Sequence, residues 1–161
     1  MLENRDEILK SDDETLSRLC ELEFFKGSGN GGQKRNKTSS AARVRLIGTS
    51  YVASDCTERS QHRNRAAALA KLRIALAYGE RNTPPIPPER FECALEHPEY
   101  PLWLAHVLDV AEANGWDLKA TAAVLGCSPS ALVKKFARDP ELWQFANQAR
   151  MKRELPPLRR P

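Results

Sequence analysis

Gly27-Ser28-Gly29-Asn30-Gly31-Gly32-Gln33-Lys34-Arg35-Asn36-Lys37 places four of the chain's eight glycines within six residues and then three cations within four. Glycine carries an entropy cost that a chain accepts where side chains would obstruct or where the backbone needs positive φ. The cations directly behind it imply that whatever approaches this backbone is a polyanion. Two phosphate-binding readings fail here. Gly27-x-Gly29-x-x-Gly32 satisfies GxGxxG by letter, but a dinucleotide fingerprint needs a helix opening at the last glycine. The continuation Gln33-Lys34-Arg35-Asn36-Lys37-Thr38 has no apolar helical stripe. A P-loop needs lysine and then Ser/Thr after its last glycine, and Gln33 stands in the lysine's place.

The weight therefore moves to Gln33. A glutamine amide is no general base at neutral pH, but it offers one acceptor and one donor to a reacting centre. Two preceding glycines let the Gln33 N–H approach a developing oxyanion. That combination suits a hydrolysis in which water is oriented, charge is stabilised and a basic surface grips the substrate.

The charge distribution fits a nucleic-acid partner. The 161-residue chain has a net charge of +4, yet residues 1–25 carry −5, residues 26–81 carry +9, residues 82–100 carry −3 and residues 101–161 carry +3. The positive field is thus concentrated around the glycine loop, and phosphate neutralisation supplies most of non-specific nucleic-acid affinity. No apolar run approaches the ~20 residues needed to span a bilayer. Cys20, Cys56, Cys93 and Cys127 form no CxxC pair, so neither a zinc site nor a disulfide framework is expected, and the chain reads as cytoplasmic. His62, His97 and His106 show no metal or triad pattern. No metal and no cofactor are expected.

The elements around the loop follow from pattern. Ser11-Asp12-Asp13-Glu14 fits a capping box and predicts a helix over roughly 11–20. Residues 21–25 read as a strand leading into the loop, and Asn36 to Ala41 as a brief helical turn. Residues 43–47 and 51–53 read as strands joined by a Gly48-containing hairpin loop. Ser60 caps a helix to Tyr78, with Gly79 at C′. Four prolines within residues 82–88 mark a stiff, extended linker. Beyond it, helices are expected over 102–113, 118–125, 129–136 and 140–153, and a mobile proline-rich tail over 156–161.

Gly27 through Arg43, and then Glu58-Arg59-Ser60-Gln61-His62-Arg63-Asn64-Arg65 with Ala68-Leu69, resemble the two signature blocks of the peptide-chain release factors, the first of them the GGQ motif. The resemblance covers roughly residues 11–79. Asn30, Arg35 and Ala42 depart from the family's usual Pro or Ala, small or apolar residue, and Val. Asn30 tolerates left-handed backbone geometry, and Arg35 adds charge beside RNA.

The resemblance implies a ribosome-dependent peptidyl-tRNA hydrolase with Gly31, Gly32 and Gln33 as catalytic residues. Gln33 would place a water at the ester of the P-site peptidyl-tRNA, its N–H would stabilise the transition state, and much of the machinery would belong to ribosomal RNA and the tRNA. RNA contacts are expected from Lys34, Arg35, Asn36, Lys37, Arg43, Arg59, Gln61, His62, Arg63 and Arg65. The expected partners are the rRNA of the peptidyl transferase centre and the P-site peptidyl-tRNA, with no membrane, and the protein acting as a monomer. The loop 27–37 is expected to be mobile without the ribosome.

No codon-reading motif accompanies the signature, and fewer than thirty residues precede its loop. The chain therefore looks like the small stand-alone members that rescue stalled ribosomes. Asp117 to Phe136 is similar to a helix-turn-helix, with Gly126 at the turn, Pro129 at N1, and Lys134 and Lys135 facing phosphate. The expected fold class is α+β: a GGQ domain over 1–81 with a short mixed sheet and a packed helix, a Pro-rich linker over 82–100, and an all-α accessory domain over 101–161 with a basic tail. The alternatives are an RNA- or ribosome-binding protein whose loop no longer catalyses, and a DNA-binding regulator built on residues 101–153.

Overall fold

The computed structural model describes residues 4–26 and 39–161. The glycine loop, Gly27–Thr38, lies outside them, and with it the expected mobility. The chain divides into two compact units, one ending at Glu80 and the other running from Arg81 to Pro161.

The first unit is α+β. Helices α1 (Arg5–Lys10) and α2 (Asp13–Arg18) precede strand β1 (Cys20–Phe25). Strands β2 (Ala41–Leu46) and β3 (Val52–Asp55) follow the loop, and helix α3 (Gln61–Gly79) closes the unit. The sheet has the order β1-β2-β3 and is antiparallel throughout, not mixed. Its register sets Phe25 against Ala41 and Cys20 against Leu46. Alternation in β2 sorts its side chains, with Ala42, Val44 and Leu46 buried and Arg43 and Arg45 exposed. The exposed pair faces Glu23 and Glu21 across the β1–β2 ladder at 3.1 and 4.0 Å. Such solvated cross-strand pairs fix register more than they stabilise.

Helix α3 packs on β2 and β3, burying Ala68, Leu69, Leu72 and Leu76. Ser60 caps it, its hydroxyl accepting from the Arg63 N–H at 3.4 Å. The helix continues through Gly79 and ends in extended backbone at Glu80, so Gly79 is not a left-handed C′ residue. Its lack of a side chain serves the Tyr51 ring instead. A Cβ there would overlap Tyr51 Oη and lie 2.6 Å from its Cε1. Gly79→Ala is expected to destabilise the unit by about 1–3 kcal/mol despite alanine's better helix propensity. In a Tyr51→Ala background the same change should become neutral or stabilising; denaturant unfolding of the four proteins checks this.

Three details differ from expectation. The helix expected over 11–20 is the shorter α2, preceded by an unexpected helix, α1, and Asp12 caps α2, accepting from the Thr15 N–H at 2.7 Å. Ser11 instead donates its hydroxyl to Ile8 O. Helix α1 was hidden in the sequence because Arg5 is fully buried, its guanidinium donating to Asp6 Oδ1 and to Glu80 O. Of the brief helix expected over 36–41, residues 36–38 lie outside the described residues. Ser39 and Ser40 have no regular structure, and Ala41 already belongs to β2.

The second unit is helical: α4 (Tyr100–Ala113), α5 (Leu118–Val124), α6 (Pro129–Arg138) and α7 (Pro140–Met151). Asp117 caps α5, and Ser128 caps α6 with Pro129 in its first turn. Gly126 turns between them at φ +67°, and α5 packs on α6. Trp103, Trp116 and Phe136 are buried, while Trp143 and Phe145 are half-buried. Residues 81–99 contain no helix or strand but are stitched to this unit. Asn82 N–H donates to Asp109, and Phe91 O accepts from the Trp103 indole. The tail packs as well: Leu158 is 8% exposed, its N–H donates to Asn147 Oδ1, and Pro156 O accepts from Arg150 Nε. The expected mobile tail is therefore docked on α7 at least to Leu158, with Arg159 and Arg160 exposed beyond it.

Candidate functional site

Arg43 sits where strand β2 leaves the loop base. Its guanidinium stacks on the Phe25 ring at 4.7 Å and donates to Glu23 at 3.1 Å. Lys26 and residues up to Ser40 fall between the paired residues Phe25 and Ala41, so the loop's two ends emerge from one rung of the sheet. On the outgoing side, Ser40 O accepts from Asn64 Nδ2 and Ser39 O from Gln61 Nε2, both at 2.6 Å. Asn64 is fully buried. The same amide nitrogen donates to Glu58 O at 2.8 Å, and its Oδ1 accepts from Glu58 N–H at 2.9 Å. The first turn of α3 is thereby bonded to the loop's outgoing stem and to the turn that precedes it.

That preceding turn is held by Asp55. Its Oδ1 accepts from the Thr57 N–H and hydroxyl at 2.9 and 2.6 Å, and its Oδ2 from Lys71 Nζ at 2.6 Å. Burial alone would raise the Asp55 carboxyl. The bonds from Lys71 and Thr57, with the Lys71 charge, outweigh it and bring the value down from 3.8 to about 2. In the window between about 2 and 3.8 the unfolded chain holds more protons than the folded one. The contribution is therefore complete above that window and is lost as pH falls through it. Asp55→Asn is expected to cost roughly 1–2 kcal/mol at neutral pH, allowing for Lys71 exposure. The difference from wild type should narrow steadily as pH falls from about 4 toward 2; urea unfolding across pH 2–7 measures it.

Of the expected RNA-contacting residues, Arg59, Gln61, His62 and Arg63 are exposed around the start of α3, and Arg65 is half-buried. Arg63 lies 3.7 Å from Glu58. His62 and Arg65 line an open groove with Asp13, Glu14, Ala66 and Leu69. The α3 start has no acidic residue in its first turn, so its cationic side chains add to the helix N-terminal field. Gly31, Gly32, Gln33, Lys34, Arg35, Asn36 and Lys37 lie outside the described residues. Asn64, Ser39 and Ser40 were not singled out for the site by the sequence. Asn64 reads there as one polar residue in a basic helical turn.

In the helical unit Lys134 is exposed, and Lys135 is not a free phosphate contact. Its side chain is 6% exposed, with Nζ donating to Glu92 at 3.0 Å and to Cys93 O at 2.6 Å while lying 5.2 Å from the Trp103 ring centroid. A cation so enclosed fastens residues 92–93 to α6. Arg138 is exposed, 3.8 Å from the same Glu92. None of the four cysteines is joined in a disulfide, and burial pushes the thiols of Cys20, Cys93 and Cys127 up. Among the described residues no His, Cys, Asp and Glu group is arranged to hold a metal ion.

The first unit is thus a three-stranded antiparallel sheet with one long packed helix, and Gly31-Gly32-Gln33 falls in sequence between β1 and β2. Residues 13–92 match the RF-1 domain family. Peptide chain release factor 1 of Xylella fastidiosa (strain 9a5c) is 44% identical over 61 residues, which are 38% of this chain and 17% of that protein. The chain thus matches about a sixth of that relative's length. No solved structure matches the chain. Through residues 13–92 the chain belongs to the peptide-chain release factor family.

Proposed function

We propose that this protein hydrolyses the ester of peptidyl-tRNA on stalled ribosomes, without reading a codon. The observation that carries the reading is the Gly31-Gly32-Gln33 sequence lying between paired Phe25 and Ala41 in a domain that matches RF-1. In the reaction a water oxygen bonds to the ester carbonyl carbon, and the bond to the tRNA 3′ oxygen breaks. Gln33 accepts from that water through its side-chain carbonyl, and its N–H donates to the carbonyl oxygen as charge develops there. Because an amide does not take up the proton, proton transfer falls to the RNA groups of the site.

The unit ending at Glu80 is the catalytic domain, and the unit from Arg81 to Pro161, in which residues 82–99 pack with the helices, contacts ribosomal RNA. Lys34, Arg35, Asn36 and Lys37 grip rRNA beside the ester, and Arg43, Arg59, His62, Arg63 and Arg65 extend that contact over the domain. In the helical unit the helix-turn-helix-like α5–α6 pair presents Lys134 and Arg138, and Lys135 drops out of this set. The protein acts in the cytoplasm as a monomer. Among the described residues no helix is long and apolar enough to cross a membrane.

Codon independence is tested with ribosomes carrying labelled peptidyl-tRNA and presenting a stop codon, a sense codon or no codon in the A site. Release is expected from codon-free complexes, with no rate advantage for the stop codon. Release confined to stop-codon complexes would replace the rescue reading with ordinary termination. Raising salt from about 50 to 200 mM should weaken ribosome binding steeply, by at least tenfold, because the contact is with phosphate.

A further inference from the structure

We propose that Asn64 and Gln61 are positioning residues for the GGQ loop: they hold its outgoing stem in the one place from which Gln33 can act. The inference rests on the hydrolase reading, and on bonds that reading does not use. β1–β2 pairing ends at Phe25 and Ala41. Among the described residues, no strand residue pairs with the carbonyls of Ser39 and Ser40, the two that precede that rung on the outgoing side. Both are taken up by side chains of the first turn of α3, Ser40 O by Asn64 and Ser39 O by Gln61.

Asn64 suits this task and few residues could replace it. Its environment presents two carbonyls, of Ser40 and Glu58, and one N–H, of Glu58. That pattern needs a neutral amide, with an NH₂ that donates twice and an oxygen that accepts. The isosteric Asn64→Asp would keep only the acceptor half and turn a carboxylate toward two carbonyl oxygens in a fully buried site. Gln61 is the complementary case. Being exposed, it is a small stability element, yet its amide reaches the stem one residue nearer the loop. Its donor is spent on Ser39, which gives it a role other than the direct RNA contact expected from sequence.

The consequence is mechanical. Residue 39 lies six positions after Gln33, and fixing both loop ends narrows the set of conformations the intervening chain can take. A misplacement of about 1 Å at a reacting centre can cost ~10²-fold in rate. The pin thus converts the packing of α3 on the sheet into placement of the catalytic backbone.

The test uses the full chain as wild type, Gln61→Glu and Asn64→Asp. Peptide release from codon-free ribosome complexes is measured against protein concentration, alongside thermal unfolding and backbone ¹⁵N order parameters of the free proteins. Gln61→Glu keeps the shape and loses the donor. It is expected to unfold with wild-type Tm, lose about tenfold in saturating release rate, leave half-saturation within about twofold, and lower the order parameters at Ser39 and Ser40 while Val44 stays rigid. Asn64→Asp should lose more rate, on the order of 10²-fold. The proposal is overturned if order at Ser39 and Ser40 is unchanged in Gln61→Glu. It is equally overturned if order falls while the saturating rate holds, or if the loss lies wholly in half-saturation. A wild type that releases nothing sinks the hydrolase reading and the positioning role with it, while the order parameters still decide whether the pin exists.

Discussion

Gln33→Pro is expected to lower the saturating rate of peptide release by about 10²–10³-fold, the usual loss when one oxyanion donor is removed. Proline carries no N–H, so this change deletes the donor assigned to the developing oxyanion. Proline also restricts the residue before it, but Gly32 has no Cβ, which eases that restriction. Gln33→Ala is the partner experiment: it keeps the N–H and removes only the side-chain amide, so its loss should be smaller. Equal losses in the two variants would place the chemistry in the side chain alone. Ribosome affinity should change little in either, since the cations that grip phosphate are intact. Single-turnover release with binding measured separately distinguishes the two effects.

Leu72→Ala is expected to carry the largest stability cost, about 2–5 kcal/mol. Leu72 is fully buried on α3, and α3 covers both β2 and β3. Deleting its side chain removes contacts in the middle of the first unit's core, where side chains on rigid elements close a cavity poorly. By contrast Arg63→Ala, on the exposed first turn, should stay within ~0.5 kcal/mol. Urea midpoints for the two proteins make the comparison, and a Leu72→Ala cost below about 1 kcal/mol would mean that α3 is not the packing anchor of the sheet.

Much of the fold was legible because its determinants are local. The Arg43-Val44-Arg45-Leu46 alternation marks a half-buried strand, and it is one in the structure. Ser60 and Ser128 are read as caps and accept the N–H bonds expected of caps. What escaped is tertiary. Gly79 looked like a helix terminator because glycine commonly is one; its real constraint is the ring of Tyr51, 28 residues away. Arg5 is a charged residue at a buried position, so periodicity could not reveal α1. Lys135 looked like a phosphate contact because lysine on a helix-turn-helix commonly is one, and only the fold brings Glu92 onto it. Leu158 sits in a proline-rich tail, where composition argues for mobility, yet it is buried and bonded to Asn147 of α7.

The site divides the same way. The chemistry proposed for it rests on the order Gly31, Gly32, Gln33, which the sequence carries by itself. The site's support was not legible there. Asn64 and Gln61 belong to a block that sequence reads as basic and RNA-facing, and only the distance to Ser39 and Ser40 shows where their amides are spent.

The most direct test of the hydrolase account is single-turnover cleavage of labelled peptidyl-tRNA in ribosomes with an empty A site. The full chain is supplied at a concentration shown by co-sedimentation to saturate binding. The account predicts free peptide and deacylated tRNA from the wild-type protein, and a rate lower by about 10²–10³ from Gln33→Pro. Ribosomes saturated with wild-type protein whose peptide stays on the tRNA would contradict it, and would leave a protein that binds ribosomes without catalysing release.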